Sequence, residues 1–368
     1  MRPMNRYKLL TPGPLTTTDT VKAEMLFDHC TWDDDYKQIT QRIRAALLEL
    51  GHVSEPEYTA VLMQGSGTFG VESVITSVVG TGDKLLIAAN GAYGLRMTEI
   101  AQHAGVNYVL YEEENTRRPD PEKIARMLEA DPGITHVSMV HSETTSGILN
   151  DIQAVGEVVR RAGKTFIVDA MSSFAGVDIP VADWGIDFLI SSANKCIQGV
   201  PGFSFILARR KKLEESAGKA RSLSLDLYAQ WRTMDIDGKW RFTSPTHVVL
   251  AFAKALEELK AEGGIPARYA RYAVNHQLLV QRMEALGFRT YLEAEVQGPI
   301  ITTFFYPEGA KFTFREMYQY IKERGYVLYP GKVMEAETFR VGNIGEIYPE
   351  DIEKLAAIMA DFLREVQG

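Results

Sequence analysis

Residues 165–174 read TFIVDAMSSF, and residues 187–199 read DFLISSANKCIQG. Thr165 to Val168 and Asp187 to Ile190 are short, β-branched or aromatic runs with no polar alternation, the pattern of strands buried on both faces of a largely parallel sheet. Asp169 closes the first run, and Lys195 follows the second among the small residues Ser191, Ser192, Ala193 and Asn194. A carboxylate and an amine are thereby delivered to one edge of a sheet. Taken alone, the same two residues also read as a turn-capping aspartate and a solvated loop lysine, so their meaning depends on what the rest of the chain brings to that edge.

Outward from this stretch, apolar runs alternate with amphipathic segments from Tyr58 to about residue 210. Strands are expected at 59–63, 84–88, 107–111, 136–140, 165–168, 187–190 and 203–207, with helices at 69–79, 95–103, 121–130 and 153–162. This predicts an α/β domain of doubly wound type, with helices on both faces of a mainly parallel sheet. Ahead of it, Lys8 to Leu15 (KLLTPGPL) suits an extended arm because of its two prolines. Helices are expected at 21–27 and 36–50, the latter from the stripe Ile39, Ile43, Ala46, Leu47 and Leu50. After residue 210 the pattern changes to a polar stretch and the segment KWRFTSPTH (239–247). Helices are then expected at 248–261, 265–285, 314–324 and 349–365, with strands at 300–305 and 338–341, as in a smaller α+β domain. The expected division is an arm at 1–20, a large domain at 21–255 and a small C-terminal domain at 256–368.

The composition excludes several classes. The chain has 368 residues, 45% hydrophobic and 24% charged, as in globular proteins. Its formal net charge of −8, with acids and bases interleaved, leaves no basic stripe for nucleic acid. The two cysteines, Cys30 and Cys196, make neither a disulfide framework nor a thiolate metal site, and the seven histidines show no ligand spacing. No metal and no nucleic acid are therefore expected. The first residues lack the apolar region of a signal peptide and no run has the length of a membrane span, so no membrane association and a cytoplasmic location are expected.

The chemistry collects at the ends of the strands. Gln64-Gly65-Ser66-Gly67-Thr68-Phe69-Gly70 follows a strand and opens a helix, which joins free N–H groups, two hydroxyls and the positive end of a helix dipole. It also matches G-x-G-x-x-G, but the next strand ends in Ala-Asn-Gly rather than in the acid that a dinucleotide site wants. Asn90-Gly91-Ala92-Tyr93-Gly94 offers an aromatic face at the next strand end, and His141-Ser142-Glu143-Thr144-Thr145-Ser146-Gly147 offers hydroxyls at another. Arg340 lies on an apolar run near the C-terminus, where an arginine wants an anionic partner. A phosphate turn, a stacking ring, an acid and a lysine at one edge answer the needs of pyridoxal 5'-phosphate. The lysine forms its Schiff base, and the acid keeps the pyridine nitrogen protonated so that the ring accepts electrons.

In this order, QGSGTFG, NGAYG, HSETTSGILN, FIVDAMSSF, SSANKCIQG, RFTSPTH and FRVGNIGE resemble the class V, fold type I aminotransferases over nearly the whole chain. The resemblance implies that Lys195 carries the cofactor covalently, that Asp169 pairs with its ring nitrogen and that Tyr93 stacks on the ring. It implies that Ser66, Gly67 and Thr68 hold the phosphate, that Thr145 lies near the ring hydroxyl, and that Thr243 reaches the phosphate from a neighbouring subunit of a homodimer whose sites lie at the interface. Arg340 would bind the anionic end of each substrate. Within the family, DHCTWDDDY (28–36), RVGNIGE (340–346) and a tyrosine at position 93 look like the branch that moves an amino group from 2-aminoethylphosphonate to pyruvate, giving phosphonoacetaldehyde and L-alanine. The alternatives are an alanine or serine aminotransferase acting on glyoxylate or pyruvate, a cysteine desulfurase-type lyase, and an NAD-binding protein. A second cation for the phosphonate is not evident; Arg96 and His29 are the candidates.

Overall fold

The computed structural model describes residues 7–333 and 337–367. All seven apolar runs between Tyr58 and Arg209 pair into one sheet. Its order is Tyr58–Gln64, Phe203–Arg209, Phe188–Ser192, Thr165–Asp169, His136–Val140, Leu85–Ala89 and Tyr108–Glu112. Only Phe203–Arg209 runs against its neighbours; the other six strands are parallel to one another.

Unbroken apolar runs are required here because both faces are covered. Along Thr165–Asp169, Phe166 and Val168 enter one core and Ile167 the other, and along Leu85–Ala89 Leu86 and Ala88 face away from Leu85 and Ile87. One core is closed by the helices Asp34–Leu50, Pro121–Ala130, Ile152–Arg161 and Thr246–Glu262. The other is closed by Gly67–Val78, Ala92–His103 and Leu227–Asp237. The doubly wound arrangement expected from the alternating pattern is the one observed.

The C-terminal part is smaller. Arg289–Thr290, Ile301–Phe305, Thr338–Gly342 and Tyr329–Pro330 form an antiparallel sheet in that order. Leu279, Met283, Phe304, Met317, Ile321, Phe339 and Met359 are buried together beneath helices Gly264–Ala285, Phe314–Glu323 and Pro349–Gln367. Phe314–Glu323 starts on a capping box in which Thr313 and Glu316 each satisfy the other's backbone N–H.

The N-terminal segment ties this part to the large sheet. Lys8–Leu9 adds a parallel strand to Tyr326–Val327, Leu10 is fully buried in the C-terminal core, and the Gly342 N–H donates to the Leu10 carbonyl at 3.0 Å. The chain then turns so that the Pro12 carbonyl accepts a hydrogen bond from Lys195 Nζ at 2.8 Å. Prolines at 12 and 14 keep this segment out of any helix and leave its carbonyls available.

A helix and a hairpin of the large part differ from the sequence expectation. Leu227–Asp237 is a helix inside the stretch read as irregular; Asp226 caps it, and it buries Leu227, Gln230, Trp231 and Met234 at the i, i+3, i+4, i+7 spacing. The segment 142–149 folds back as a small hairpin, Ser142–Glu143 against Ile148–Leu149. The hairpin lies beside the site described next.

Candidate active site

Parallel strands bring their C-terminal ends to one edge, and the chain reverses its direction of travel across the sheet between His136–Val140 and Leu85–Ala89. Ligands of open α/β sheets occupy the crevice at such a switch point. Asp169 ends the strand beside it, Tyr93 and Thr145 follow the two strands that flank it, and Lys195 lies just beyond Phe188–Ser192.

Asp169 is 5% exposed and its Oδ1 accepts from the Met171 N–H at 2.9 Å. Among the described residues no lysine or arginine forms an ion pair with it. Burial pushes its carboxyl up to about 6; the Met171 hydrogen bond pulls the other way, Glu143 adds to the rise, and Lys195 and Arg96 oppose it. Such a group lacks a cation. Lys195 shows the complementary perturbation: burial lowers its ammonium below the usual lysine range, against the pull of Tyr93, Cys196 and Asp169. Among the described residues its one hydrogen bond goes to a carbonyl, and no carboxylate there locks the amine in its charged form.

The helix Gly67–Val78 begins at this edge. Its first N–H groups have no intrahelical acceptor, and the Ser66 side chain does not cap them. Gly67 packs so closely on residue 171 that a Cβ would overlap the Met171 side chain, so glycine is what lets the helix start approach Asp169. Thr68, Tyr93, Arg96, Asp169 and Met171 line one small cavity. An uncapped helix start, a buried carboxyl without a cation and a lysine without an anion are the three needs that a phosphorylated, protonated, aldehyde-bearing ring would satisfy, and the residues present fit pyridoxal 5'-phosphate.

Tyr93 is held by a residue to which the sequence reading gave no role. Glu143 is fully buried; its Oε2 accepts from the N–H groups of Tyr93 and Gly94, each at 3.1 Å. Its Oε1 accepts from the Thr145 N–H at 3.0 Å and the Thr145 hydroxyl at 2.6 Å. Thr145 Oγ1 in turn accepts from the Ala92 N–H at 3.0 Å. One carboxylate from the hairpin thus caps the helix Ala92–His103, fixing Tyr93 and Thr145 together. The sequence carried a faint signal: Gly91, at the N-cap, has no side chain to do this, and a Cβ there would overlap the Glu143 carboxyl. Glu143→Ala leaves several buried donors unsatisfied. It is expected to lower stability by about 3 kcal/mol or more, read as a lower urea midpoint, with Glu143→Gln falling between.

Asn90 and Asn150 exchange amide hydrogen bonds at 2.8 and 3.0 Å, and Asn150 also donates to the Val140 carbonyl at 2.8 Å. The two loops on either side of the switch point are thereby joined.

Arg340 reaches this edge from the C-terminal sheet. It is 5% exposed, its Nε donates to the Pro330 carbonyl at 3.0 Å and its Nη1 to the Thr144 carbonyl at 2.8 Å. It also hydrogen-bonds the Tyr93 side chain, and burial lowers its guanidinium below the usual arginine range. No carboxylate among the described residues pairs with it. Lys332, which the sequence did not single out, places Nζ 4.1 Å from the centre of the Tyr93 ring. Burial alone would raise the Tyr93 phenol, but Lys332 and Lys195 bring it below its ordinary value, helped by Thr144 and Arg340.

Of the nine residues named from the sequence, Asp169, Lys195, Tyr93, Thr145, Gly67, Thr68 and Arg340 meet at this edge, and Ser66 opens the helix that points to it. Thr243 does not join them within the chain; it is exposed in the loop before Thr246–Glu262. Of the two candidate second cations, Arg96 lines the small cavity with its guanidinium 4.9 Å from the Tyr93 ring centre, and His29 is exposed in the segment 25–30. Cys196 is fully buried with its Sγ donating to the Ser172 carbonyl, and burial pushes its thiol up to about 12; Cys30 is exposed. Among the described residues no group of three or more histidine, cysteine or acidic side chains could hold a metal ion, and no helix is long and apolar enough to cross a membrane.

Comparison with known proteins gives a consistent result. The family profile described as aminotransferase class-V matches residues 30–332. A protein of Lysinibacillus sphaericus named 2-aminoethylphosphonate–pyruvate transaminase is 58% identical over 360 residues, covering 98% of each chain. One of the same name from Salmonella paratyphi B is 57% identical over 351 residues, covering 95% of each. Among solved structures, ureidoglycine-glyoxylate aminotransferase of Bacillus subtilis superposes with a TM-score of 0.91 at 23% identity, covering 98% of this chain and 94% of that one. Pyridoxamine-pyruvate aminotransferase of Mesorhizobium loti gives 0.90 at 22% identity, covering 100% and 94%. At such identities the solved structures speak to the fold alone.

Proposed function

The chain belongs to the class V aminotransferases, and from that premise we propose that it transfers the amino group of 2-aminoethylphosphonate to pyruvate, giving phosphonoacetaldehyde and L-alanine. The observation that carries this reading is the identity of 57 to 58% to relatives of that name over nearly the full length of both chains. The aminotransferases acting on other substrates resemble this chain at 22 to 23% identity, which argues fold and not substrate. A lyase of the desulfurase type needs a mobile thiolate beside the substrate. The buried Cys196 thiol, held well above the neutral range, does not offer one.

Pyridoxal 5'-phosphate, when bound, supplies the electron sink that makes the carbon–hydrogen bond next to the substrate nitrogen acidic. The protein does the rest. Ser66, Gly67 and Thr68 would receive the phosphate at the helix start, Asp169 would present its carboxylate to the ring nitrogen, Tyr93 would stack on the ring, and Thr145 would stand by the ring hydroxyl. Lys195 Nζ would hold the cofactor covalently between turnovers. Freed by an incoming amine, its Nζ would take the proton from the substrate carbon and return it on the other side of the transfer, and burial, which lowers its pKa, favours the neutral amine that this requires. Arg340 grips the anionic end of each substrate through parallel N–H bonds. The same groups run the second half in reverse with pyruvate.

Thr243 belongs in this scheme to the phosphate site of a second copy in a homodimer. Its loop carries Phe242, and Leu26, Phe27 and Trp32 are exposed on the segment 26–32, linked to the same region by the His247 to Asp28 contact at 3.2 Å. Apolar side chains exposed at this density on an otherwise ordinary surface support burial between subunits. The function is tested by alanine formation from pyruvate with 2-aminoethylphosphonate as donor, against serine as donor and glyoxylate as acceptor. A preference of at least about 100-fold in kcat/KM for the phosphonate and pyruvate is expected. Comparable or faster turnover with serine and glyoxylate would assign the chain to the other branch.

A further inference from the structure

A phosphonate has a second ionisable oxygen that a carboxylate or a sulfonate lacks, so in its dianionic form it brings two negative charges to the site. Arg340 answers one of them. Its Nε and one Nη1 proton are engaged by the Pro330 and Thr144 carbonyls, which leaves three of its N–H groups for Tyr93 and an anion. A second charge left unpaired in a buried site would be strongly unfavourable.

Lys332 is placed to answer it. Arg340 stands opposite Tyr329 in the sheet, and its Nε bond to Pro330 fixes it to the segment that continues into Lys332. The Gly331 N–H donates to the Thr338 carbonyl at 3.0 Å, which holds this turn against the arginine strand. Lys332 Nζ lies 4.1 Å from the Tyr93 ring centre, and Arg340 hydrogen-bonds the same side chain. Among the described residues neither cation has a carboxylate partner. From the C-terminal part, two cations of different kind thus converge on one tyrosine, whose ring Arg96 meets from its own helix at 4.9 Å.

We propose that Lys332 is the second cation of the substrate's anion site and sets the preference for a dianionic phosphonate over singly charged ends. The arginine, fixed by two carbonyls, serves every substrate. The lysine, a point charge on a flexible stem in a turn without regular structure, engages when a second negative charge is present and otherwise rests on the Tyr93 face. This answers a difficulty the reaction poses, because one site must accept a phosphonate and then a carboxylate with one charge fewer. The inference rests on the proposed aminotransferase reading and adds a residue to it.

The test compares the wild-type holoenzyme with Lys332→Met and Lys332→Arg. Calorimetry, at a pH above the second ionisation of the phosphonate, measures the Kd of ethylphosphonate and of ethanesulfonate, which share shape and there differ by one charge. Steady-state kinetics measures KM for 2-aminoethylphosphonate and for pyruvate separately. In Lys332→Met, ethylphosphonate binding and KM for the phosphonate amine are expected to weaken by about 10-fold or more, with ethanesulfonate and pyruvate changed less than about 3-fold, and Lys332→Arg is expected to recover most of the loss. Equal weakening of both anions, or unchanged ethylphosphonate binding in Lys332→Met, overturns the role of Lys332 and leaves the aminotransferase reading standing. A wild-type enzyme that forms alanine from another donor and binds no ethylphosphonate overturns both.

Discussion

Lys195→Ala is expected to lower alanine formation by more than about 10⁴-fold, because one residue performs both the covalent attachment and the proton transfer. The geometry argues for this directly. Among the described residues Lys195 Nζ makes a single hydrogen bond, to the Pro12 carbonyl, and burial holds its pKa below that of an ordinary lysine. An amine so placed gives up its proton more readily than a surface lysine does, and the neutral form is what a nucleophile and a base require. Two readouts separate a chemical role from a structural one. Borohydride treatment of the wild-type holoenzyme should leave the cofactor on the peptide that contains Lys195, and the variant should show no such label. A small amine such as methylamine should restore part of the lost proton transfer in Lys195→Ala, since the cavity left by the side chain opens at the same carbon. Turnover in the variant within about 10-fold of wild type would remove Lys195 from the reaction. Lys195→Arg is expected to be nearly as impaired, because a guanidinium stays protonated and neither attacks nor accepts a proton.

The parts of this molecule legible in its sequence are those fixed by local chemistry. The seven runs of the large sheet were visible because each is buried on both faces and so has no polar alternation. Their ends were placed a residue or two short at Asp169, Ser192 and Arg209, where pairing with neighbouring strands continues into polar residues: Asp169 pairs with Val140 and Ile190, and Ser192 with Ser204. The reversed direction of Phe203–Arg209 was not visible, since FSFIL reads alike both ways. The clue lay in the connection, where the short stretch from Ala193 to Gly202 holds no helix to cross back for a parallel partner. The helix Leu227–Asp237 was missed because one of its buried positions is Gln230, whose amide donates to the Leu62 carbonyl, so its apolar stripe looked broken. At the site, Asp169, Lys195 and Tyr93 follow strands and could be placed at one edge by topology alone. Glu143 reaches Tyr93 and Gly94 across 50 and 49 residues, Lys332 reaches Tyr93 from another part of the chain, and no local pattern marks either role.

Asp169→Asn is expected to separate catalysis from stability in opposite directions. The asparagine keeps the shape and the Oδ1 acceptor for the Met171 N–H, so the fold and the phosphate contacts should persist. What it loses is the charge that keeps a bound ring protonated, and with it the stabilisation of negative charge on the reacting carbon; kcat is expected to fall by about 10² to 10⁴-fold. Stability in the cofactor-free protein should move the other way. Burial raises the Asp169 carboxyl from 3.8 to about 6, so the folded protein holds this proton over a pH range in which the unfolded chain has released it. Between those two values the ionisation of Asp169 lowers stability as pH rises, and above the higher one the full penalty, on the order of 3 kcal/mol, remains. Replacing the acid with a neutral amide removes the penalty. Cofactor-stripped Asp169→Asn should therefore melt higher than cofactor-stripped wild type at pH 7 to 8, with the gap closing as pH falls below about 4, where the acid is neutral in both states. Loading the cofactor should shrink the gap as well, since a protonated ring nitrogen provides the cation that Asp169 lacks among the described residues. A variant that melts lower than wild type at pH 8 without cofactor would show that the carboxylate is held by interactions other than those seen here. Near-wild-type turnover would remove Asp169 from the chemistry.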